Sequence, residues 1–462
     1  MVSIDTEVGA IKRDASQFLD PSRILELCRE SGYFPEADGA LPPTTLIALF
    51  MQQVAAGNVS CDQVRLMGKD AFSASGYCQA RMRLPLAVLT TLTREVYHKI
   101  ADPIEKEAEH RWHGHRVLLI DSTSFSMPDT PQLRDHFGQS GQQKKGCGFP
   151  TAHLLLLFNA RTGLAVDAIN APLRTHEMSL ASQTHAQMGN GDLVLGDDSF
   201  GTYAHLALLQ QRGAHGLFPA HHVRIVNFTP GRACIDPRQA AKASQEAKGL
   251  PRSRWIKSLG EMDQIVEWMK PANKPKWMSA AQWKQLPDTL LVRETRRTVQ
   301  RPGFRPVTLT TVTTLLDAEA YPADELFPLR MRRWDVETDI RHLKTTMGME
   351  ILHCQTVEGV QKELWMFLLI YNLVRVVMVA AAKRQKVPVS RISFASALHW
   401  VRCARVGDTL PRLAVVPDRP NRIEPRAIKR RPKPYDLMIR PRNRLKEEMQ
   451  LVNGGKSEAG GT

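Results

Sequence analysis

Three acidic residues stand where a divalent-cation site could be assembled. Asp121 follows the apolar run Val117-Leu118-Leu119-Ile120, Asp197 follows Leu193-Val194-Leu195 and Gly196, and Glu337 lies in a later helical stretch. Hard carboxylate oxygens suit Mg2+ or Mn2+. Two such ions about 3.5–4 Å apart can activate an attacking water or 3′-hydroxyl and stabilise the leaving oxygen in phosphoryl transfer. The two aspartates converge if their strands are adjacent and parallel, because ligands collect outside the carboxyl ends of such strands. A single acid at a strand end is more often a cap or turn residue, so neither aspartate carries weight alone.

The stretch around Glu337 adds cations. Arg330, Arg333, Glu337, Arg341 and Lys344 recur at helical spacing and share one face. Leu329, Val336, Ile340, Leu343 and Met347 form an adjoining stripe that can pack on a sheet. Charge runs are usually solvated, salt-bridged faces. Here one carboxylate needs one partner, and the surplus cations suit phosphates flanking a scissile bond.

The elements that must position these residues follow from the apolar patterning. Residues 1–100 read as a helical domain, either a DNA-end-binding module or a bundle packed on the core. Residues 101–222 read as the first part of an α/β unit. Within it, the strand ending on Asp121 is followed by the strands Thr151 to Asn159 and Leu164 to Ile169, and a polar helix runs from about Glu177 to Met188. Residues 223–318 read as a β-rich insertion with late strands Leu290 to Gln300 and Val307 to Leu316 joined at Arg301-Pro302-Gly303. Residues 319–400 return to the core, with helices over Tyr321 to Glu350 and Glu358 to Arg384, and residues 401–462 form a basic C-terminal region with a flexible tail.

Composition narrows the partners. Lys plus Arg number 62 against 47 Asp plus Glu, a net charge of +15 that attracts a polyanion. Seven scattered cysteines with no C-x-x-C pair argue against a disulfide framework or a zinc site and suit a reducing cytoplasm. The start of the chain has no secretory pattern. The apolar stretch Leu364 to Ala382 carries Asn372 and Arg375 at mid-span, which favours a buried core helix over a membrane span. His113, His115, His176 and the pair His221-His222 lack the convergent spacing of a zinc site. Gly138-x-x-Gly141 and Gly146-x-Gly148, beside Lys144 and Lys145, lack the phosphate-loop pattern, so no nucleotide cofactor is expected.

The run Leu329-Arg330-Met331-Arg332-Arg333-Trp334-Asp335-Val336-Glu337, continuing to Arg341-His342-Leu343-Lys344, resembles the Y-x2-R-x3-E-x6-K signature of DDE transposases of insertion-sequence family 4. Arg333, Glu337 and Lys344 match its R, E and K, and Arg330 stands in place of its tyrosine. Leu119-Ile120-Asp121-Ser122-Thr123 is similar to the family's first-aspartate strand, and Leu195-Gly196-Asp197-Asp198-Ser199-Phe200 to its D-R-x-F segment, with Asp198 as the rival ligand in the arginine's place. Gln79 to Pro85 and Arg426 to Tyr435 extend the likeness to most of residues 20–440. The resemblance implies an RNase H-like α/β core with a mainly β insertion between the second Asp and the Glu, an N-terminal helical domain and C-terminal helices. It implies two Mg2+ or Mn2+ ions on Asp121, Asp197 and Glu337, and DNA contacts from Arg330, Arg333, Arg341 and Lys344. It further implies terminal inverted repeats and target DNA as partners, and cut-and-paste movement in a homodimeric paired-end complex. A flipped base would stack on an aromatic side chain, with Trp255, Trp268, Trp277 and Trp283 as candidates and Trp334 as packing. The alternatives are a metal-dependent nuclease without strand transfer and an inactive DNA-binding derivative.

Overall fold

Strand β1 (Val117–Ser126) has a long antiparallel neighbour on one side and a short parallel one on the other, and this asymmetry sets the architecture. The computed structural model describes residues 20–34, 41–68, 71–141, 144–239, 244–300, 306–403, 408–417 and 438–458. β2 (Thr151–Asn159) and β3 (Ala165–Pro172) form a hairpin beside β1, while β4 (Leu193–Leu195) and β5 (His215–Pro219) run parallel to it on the other flank. Ile120, Leu154 to Phe158 and Leu193 to Leu195 are almost completely buried, as expected of strands covered on both faces. β1 does not end on Asp121. Its Ser/Thr continuation is held as strand by β2, down to Ser126 opposite Thr151, whereas its register with β4 stops at Leu119 opposite Leu195.

The β-rich segment joins the same sheet. β6 (Ser253–Gly260), β7 (Asp263–Met269), β8 (Thr289–Val299) and β9 (Val307–Thr313) form a meander, and β9 pairs antiparallel with β5. The result is one nine-stranded mixed sheet of order β3-β2-β1-β4-β5-β9-β8-β7-β6. The Arg301-Pro302-Gly303 turn and the run Arg426 to Tyr435 lie outside the described residues.

Helices clothe this sheet. The N-terminal ones are α1 (Pro21–Glu30), α2 (Pro43–Ala55), α3 (Cys61–Met67), α4 (Ala74–Arg83) and α5 (Leu86–Glu105), followed by α6 (Pro131–Phe137). α7 (Glu177–Thr184) ends earlier than the polar pattern suggested and passes into a 3-10 turn, His185–Gln187. After α8 (Tyr203–Gln211), and the short α9 (Gln245–Lys248) and α10 (Ala280–Gln285), the expected single helix over 321–350 is broken into α11 (Ala323–Met331), α12 (Arg333–Arg341) and a π turn, His342–Thr346. The break falls at Arg332, whose guanidinium reaches across to Ala160 O at 2.5 Å and to Asp335 Oδ2 at 3.1 Å. α14 (Phe394–Cys403) and α15 (Arg442–Glu458) follow. α15 occupies part of the region expected to be a flexible tail and is tied back by Arg442 to Asp129 Oδ2 at 2.9 Å.

α13 (Val357–Gln385) is the one described helix long and apolar enough to cross a membrane, and it is buried inside the fold against α2, α5 and α14. Its polar residues have partners. Asn372 both accepts from Ala165 N (2.8 Å) and donates to Ala165 O (2.9 Å), and Tyr371 donates to Gly163 O at 2.8 Å. Arg375 donates to Thr162 O at 3.0 Å and to Asp339 Oδ1 on α12 at 3.2 Å. Both ends of that ion pair are buried, and burial pushes the Asp339 carboxyl up to about 6 against the pull of Arg375. This pair fixes the helix that carries Glu337 to the core helix. Removing one member of a buried pair leaves the other uncompensated, so Arg375→Ala should cost about 3–5 kcal/mol of unfolding free energy, measured by urea denaturation. A loss under about 1 kcal/mol would show that the pair does not anchor α12.

Candidate active site

The sheet register brings Asp121 and Asp197 side by side. Each lies two residues beyond the last β1–β4 pair, Leu119 and Leu195, at the point where β4 turns away and a gap opens beside β1. Gly196 permits the close approach, since a Cβ there would lie 3.2 Å from Ile120 O and 2.9 Å from Ile120 Cγ2. Asp121 Oδ1 accepts from Ser122 N at 2.8 Å. Asp197 Oδ1 accepts from Ser199 N at 2.9 Å and Ser199 Oγ at 2.6 Å. Burial pushes the Asp121 carboxyl up to about 6, the Ser122 amide and Arg333 pull it down, and the negative charges of Asp197 and Glu177 push it further up. Anionic pressure of this kind, from hard oxygens crowded at one sheet edge, fits a divalent cation.

Glu337 is placed on the facing helix but not within the acid pair. It is exposed, and Arg333 donates to its Oε1 at 3.1 Å. Among the described residues, the sets of three or more His, Cys or acidic ligand atoms lying within 4.8 Å of one another do not include Asp121, Asp197 and Glu337. α12 packs against β1, and the field of Arg333 reaches Asp121, so the helix stands over the pair.

The four cations divide by role. Arg333 is engaged with Glu337. Lys344 donates to Thr123 Oγ1 at 3.3 Å, the wider winding of the π turn having carried it toward the β1 side that also bears Asp121. Arg330 is half-buried, its Nε has no hydrogen-bond partner among the described residues, and burial together with Arg333 pushes its guanidinium down to about 10. Arg341 is exposed and lines a separate cleft with Glu107, Arg161, Arg332, Asp335 and Lys383, so it departs from the shared face that the spacing suggested.

Other sequence candidates separate cleanly. Asp198 turns from the acid pair and lies 3.4 Å from His222 Nδ1, in a group with His221 and His222. His113 pairs with Glu325 at 2.6 Å, His115 with Gly191 O at 2.6 Å, and His176 caps α7. Trp268 is fully buried, its indole donates to Glu294 Oε1 at 3.0 Å, and Arg224 lies 3.3 Å over its ring, so it cannot receive a base. Trp277 and Trp283 pack against the core and Trp255 is partly buried on β6. Trp334 reverses the expectation of packing: it is 52% exposed, one helical turn before Glu337.

Glu177 was not singled out by sequence. It accepts from Ser122 Oγ and from Ser199 Oγ, the latter at 2.6 Å, and so touches the neighbours of both aspartates. Its one sequence signal is an acid at the first position of the helix that follows the β2–β3 hairpin.

Comparison with known proteins places these residues in context. The family described as Transposase DDE domain matches residues 112–373. The chain is 26% identical over 446 residues to the transposase InsG for insertion sequence element IS4 of Escherichia coli (strain K12), covering 90% of this chain and 92% of that protein. It is 30% identical over 156 residues to the putative transposase InsZ of the same strain, covering 33% of this chain and 52% of that one. Among solved structures it is similar to piggyBac transposase in a cryo-EM synaptic complex with hairpin DNA, with a TM-score of 0.40 and 9% identity over 84% of this chain and 78% of that chain.

The raised Asp121 carboxyl has a stability consequence. Its folded pKa of about 6 lies above the ordinary 3.8, so the folded state binds the extra proton and stability declines as pH rises through that window. Asp121→Asn should therefore stabilise the ion-free protein above pH 6 by about 1–2 kcal/mol, an allowance reduced for partial solvent screening, and make no difference below about pH 4. Thermal unfolding at both pH values checks this, and a variant less stable than wild type at pH 7.5 would contradict it.

Proposed function

The chain belongs to the transposase DDE domain family, of the insertion-sequence element 4 type, and from that premise we propose that it cuts DNA at the ends of a mobile element and joins them to target DNA by cut-and-paste. The observation that carries the reading is Arg330: a half-buried guanidinium one turn before Arg333, with no ion-pair partner among the described residues and its Nε without a hydrogen bond there. A desolvated, unpaired cation is costly unless a ligand supplies the counter-charge, and a DNA phosphate does so.

In this reading the β1–β4 half of the sheet is an RNase H-like core, and Asp121, Asp197 and Glu337 hold two Mg2+ or Mn2+ ions. When bound, such ions supply Lewis-acid stabilisation of the attacking and leaving oxygens. Arg330 and Lys344 grip phosphates, Lys344 on the β1 side. Arg333 is drawn from Glu337 by a further phosphate, which frees the Glu337 carboxylate to turn toward the aspartates. Arg341 contacts the backbone farther out. Trp334, rather than the four tryptophans of residues 223–318, offers the aromatic face for an unstacked base, since it is the one exposed beside the catalytic helix. The DNA partners are terminal inverted repeats and target DNA, bound by a homodimer in a paired-end complex.

Incubation of the protein with labelled end DNA and Mg2+ separates the readings. Joined products support transposition, nicks alone a nuclease, and a shifted band without cleavage an inactive binder. Asp121→Ala, Asp197→Ala and Glu337→Ala should each reduce cleavage by about a thousandfold or more and leave DNA binding intact. Retained activity in any one of them would remove that residue from the catalytic set. Arg330→Ala should weaken end binding and lower the slope of log affinity against log salt by about 1. An unchanged slope would mean that Arg330 meets no phosphate.

A further inference from the structure

Glu177 begins α7, immediately after the β2–β3 hairpin, and its two carboxylate oxygens reach in opposite directions. One accepts from Ser122 Oγ, the hydroxyl next to Asp121, and the other from Ser199 Oγ at 2.6 Å. Ser199 also contacts Asp197 Oδ1 at 2.6 Å. The Asp197 and Glu177 oxygens are thus no farther apart than those two contacts laid end to end. A hydroxyl carries one hydrogen, so Ser199 cannot donate to both carboxylates at once. The contact it leaves unmet sets one oxygen lone pair against another, which a cation at that point relieves.

A bland role is available: an acid in the first turn of a helix is favoured by the helix dipole, and two serines satisfy it. That role does not need this location. Among the described residues no Lys, Arg or His forms an ion pair with Glu177, although it stands against two other acids. A hydrogen-bonded strut between β1 and the Asp197 loop would be served by a neutral glutamine without adding a third negative charge to a crowded edge.

We propose that Glu177 is an accessory carboxylate beside the cation-binding acids, not itself a ligand, since its oxygens do not converge with those of Asp121 and Asp197 within 4.8 Å of one another; it is a positioning residue that ties the Asp121 strand to the Asp197 loop through Ser122 and Ser199 and adds charge that draws a divalent cation in. The inference rests on the reading that Asp121 and Asp197 hold divalent ions. It assigns Glu177 to ion loading, distinct from Glu337, which arrives from the opposite helix.

The test is Mn2+ binding to the full-length, DNA-free protein by isothermal titration, with thermal unfolding of the ion-free protein as a second readout. Glu177→Gln keeps the size and part of the hydrogen bonding while removing the charge. It should weaken Mn2+ about 10- to 100-fold, as loss of a group that orients metal ligands does, and leave the ion-free melting temperature equal or higher. A purely structural strut gives the reverse pattern, a lower melting temperature with wild-type Mn2+ affinity, and that result overturns the proposal. Asp121→Asn and Asp197→Asn separate the two levels. If they also leave Mn2+ binding untouched, the underlying metal reading fails; if they abolish it while Glu177→Gln binds as wild type, only the role of Glu177 fails. Should Glu177→Gln not fold, Ser199→Ala, which keeps all the charges and removes the shared hydroxyl, should still lower Mn2+ affinity several-fold, and wild-type affinity there counts against the proposal.

Discussion

Two like charges on neighbouring strands repel, and the backbone ladder between β1 and β4 holds them together regardless. Repulsion between them adds to the burial that raises the Asp121 carboxyl. It is resisted by a parallel register over three pairs, Val117 to Leu119 against Leu193 to Leu195, all buried. The negative charge thus gathered beside β1 is what a bound cation would offset. The neighbouring devices serve the same end: Gly196 lets the chain press on Ile120, Ser199 clasps Asp197, and the Ser122 amide meets Asp121.

The second half of the site is held by a different kind of force. α12 is pinned from behind by the buried Arg375–Asp339 pair and from its start by Arg332 on Ala160 O, while its outer face carries the exposed Glu337 and Trp334. A rigid back and an exposed front suit the change of partner proposed for Glu337. Arg375 and Asn372, the residues that spoke against a membrane span, also grip the β2–β3 turn.

Much of this was legible in the chain because the signals are short-range and apolar. The runs 117–120 and 193–195 announce strands buried on both faces, and the adjacency they suggested for Asp121 and Asp197 is what the register gives. What the local sequence does not show depends on contacts distant in sequence. Strand β1 runs past Asp121 because β2 pairs with it, which no window around Asp121 reveals. Wheel geometry puts Arg341 and Lys344 on one face, but the π turn that begins after Arg341 sends them to different sides. Glu177 is hidden for the same reason, since its two serine partners lie on separate elements. Trp334 looked like packing because it neighbours an apolar stripe, yet the stripe buries Val336 and Ile340 and leaves the indole outside.

The pairing of β5 with β9 gives the molecule a mechanical character. Because Leu217 to Pro219 is laddered to Thr311 to Thr313, the outer meander and the strands leading to Asp197 belong to one continuous hydrogen-bonded sheet. Whatever rests on the meander is held at a set stance toward that aspartate. The segmented helices of residues 323–346 are likewise fixed to the core, through Arg332 on Ala160 O and Arg375 on Asp339, so adjustment on that side is left to the side chains of their outer face.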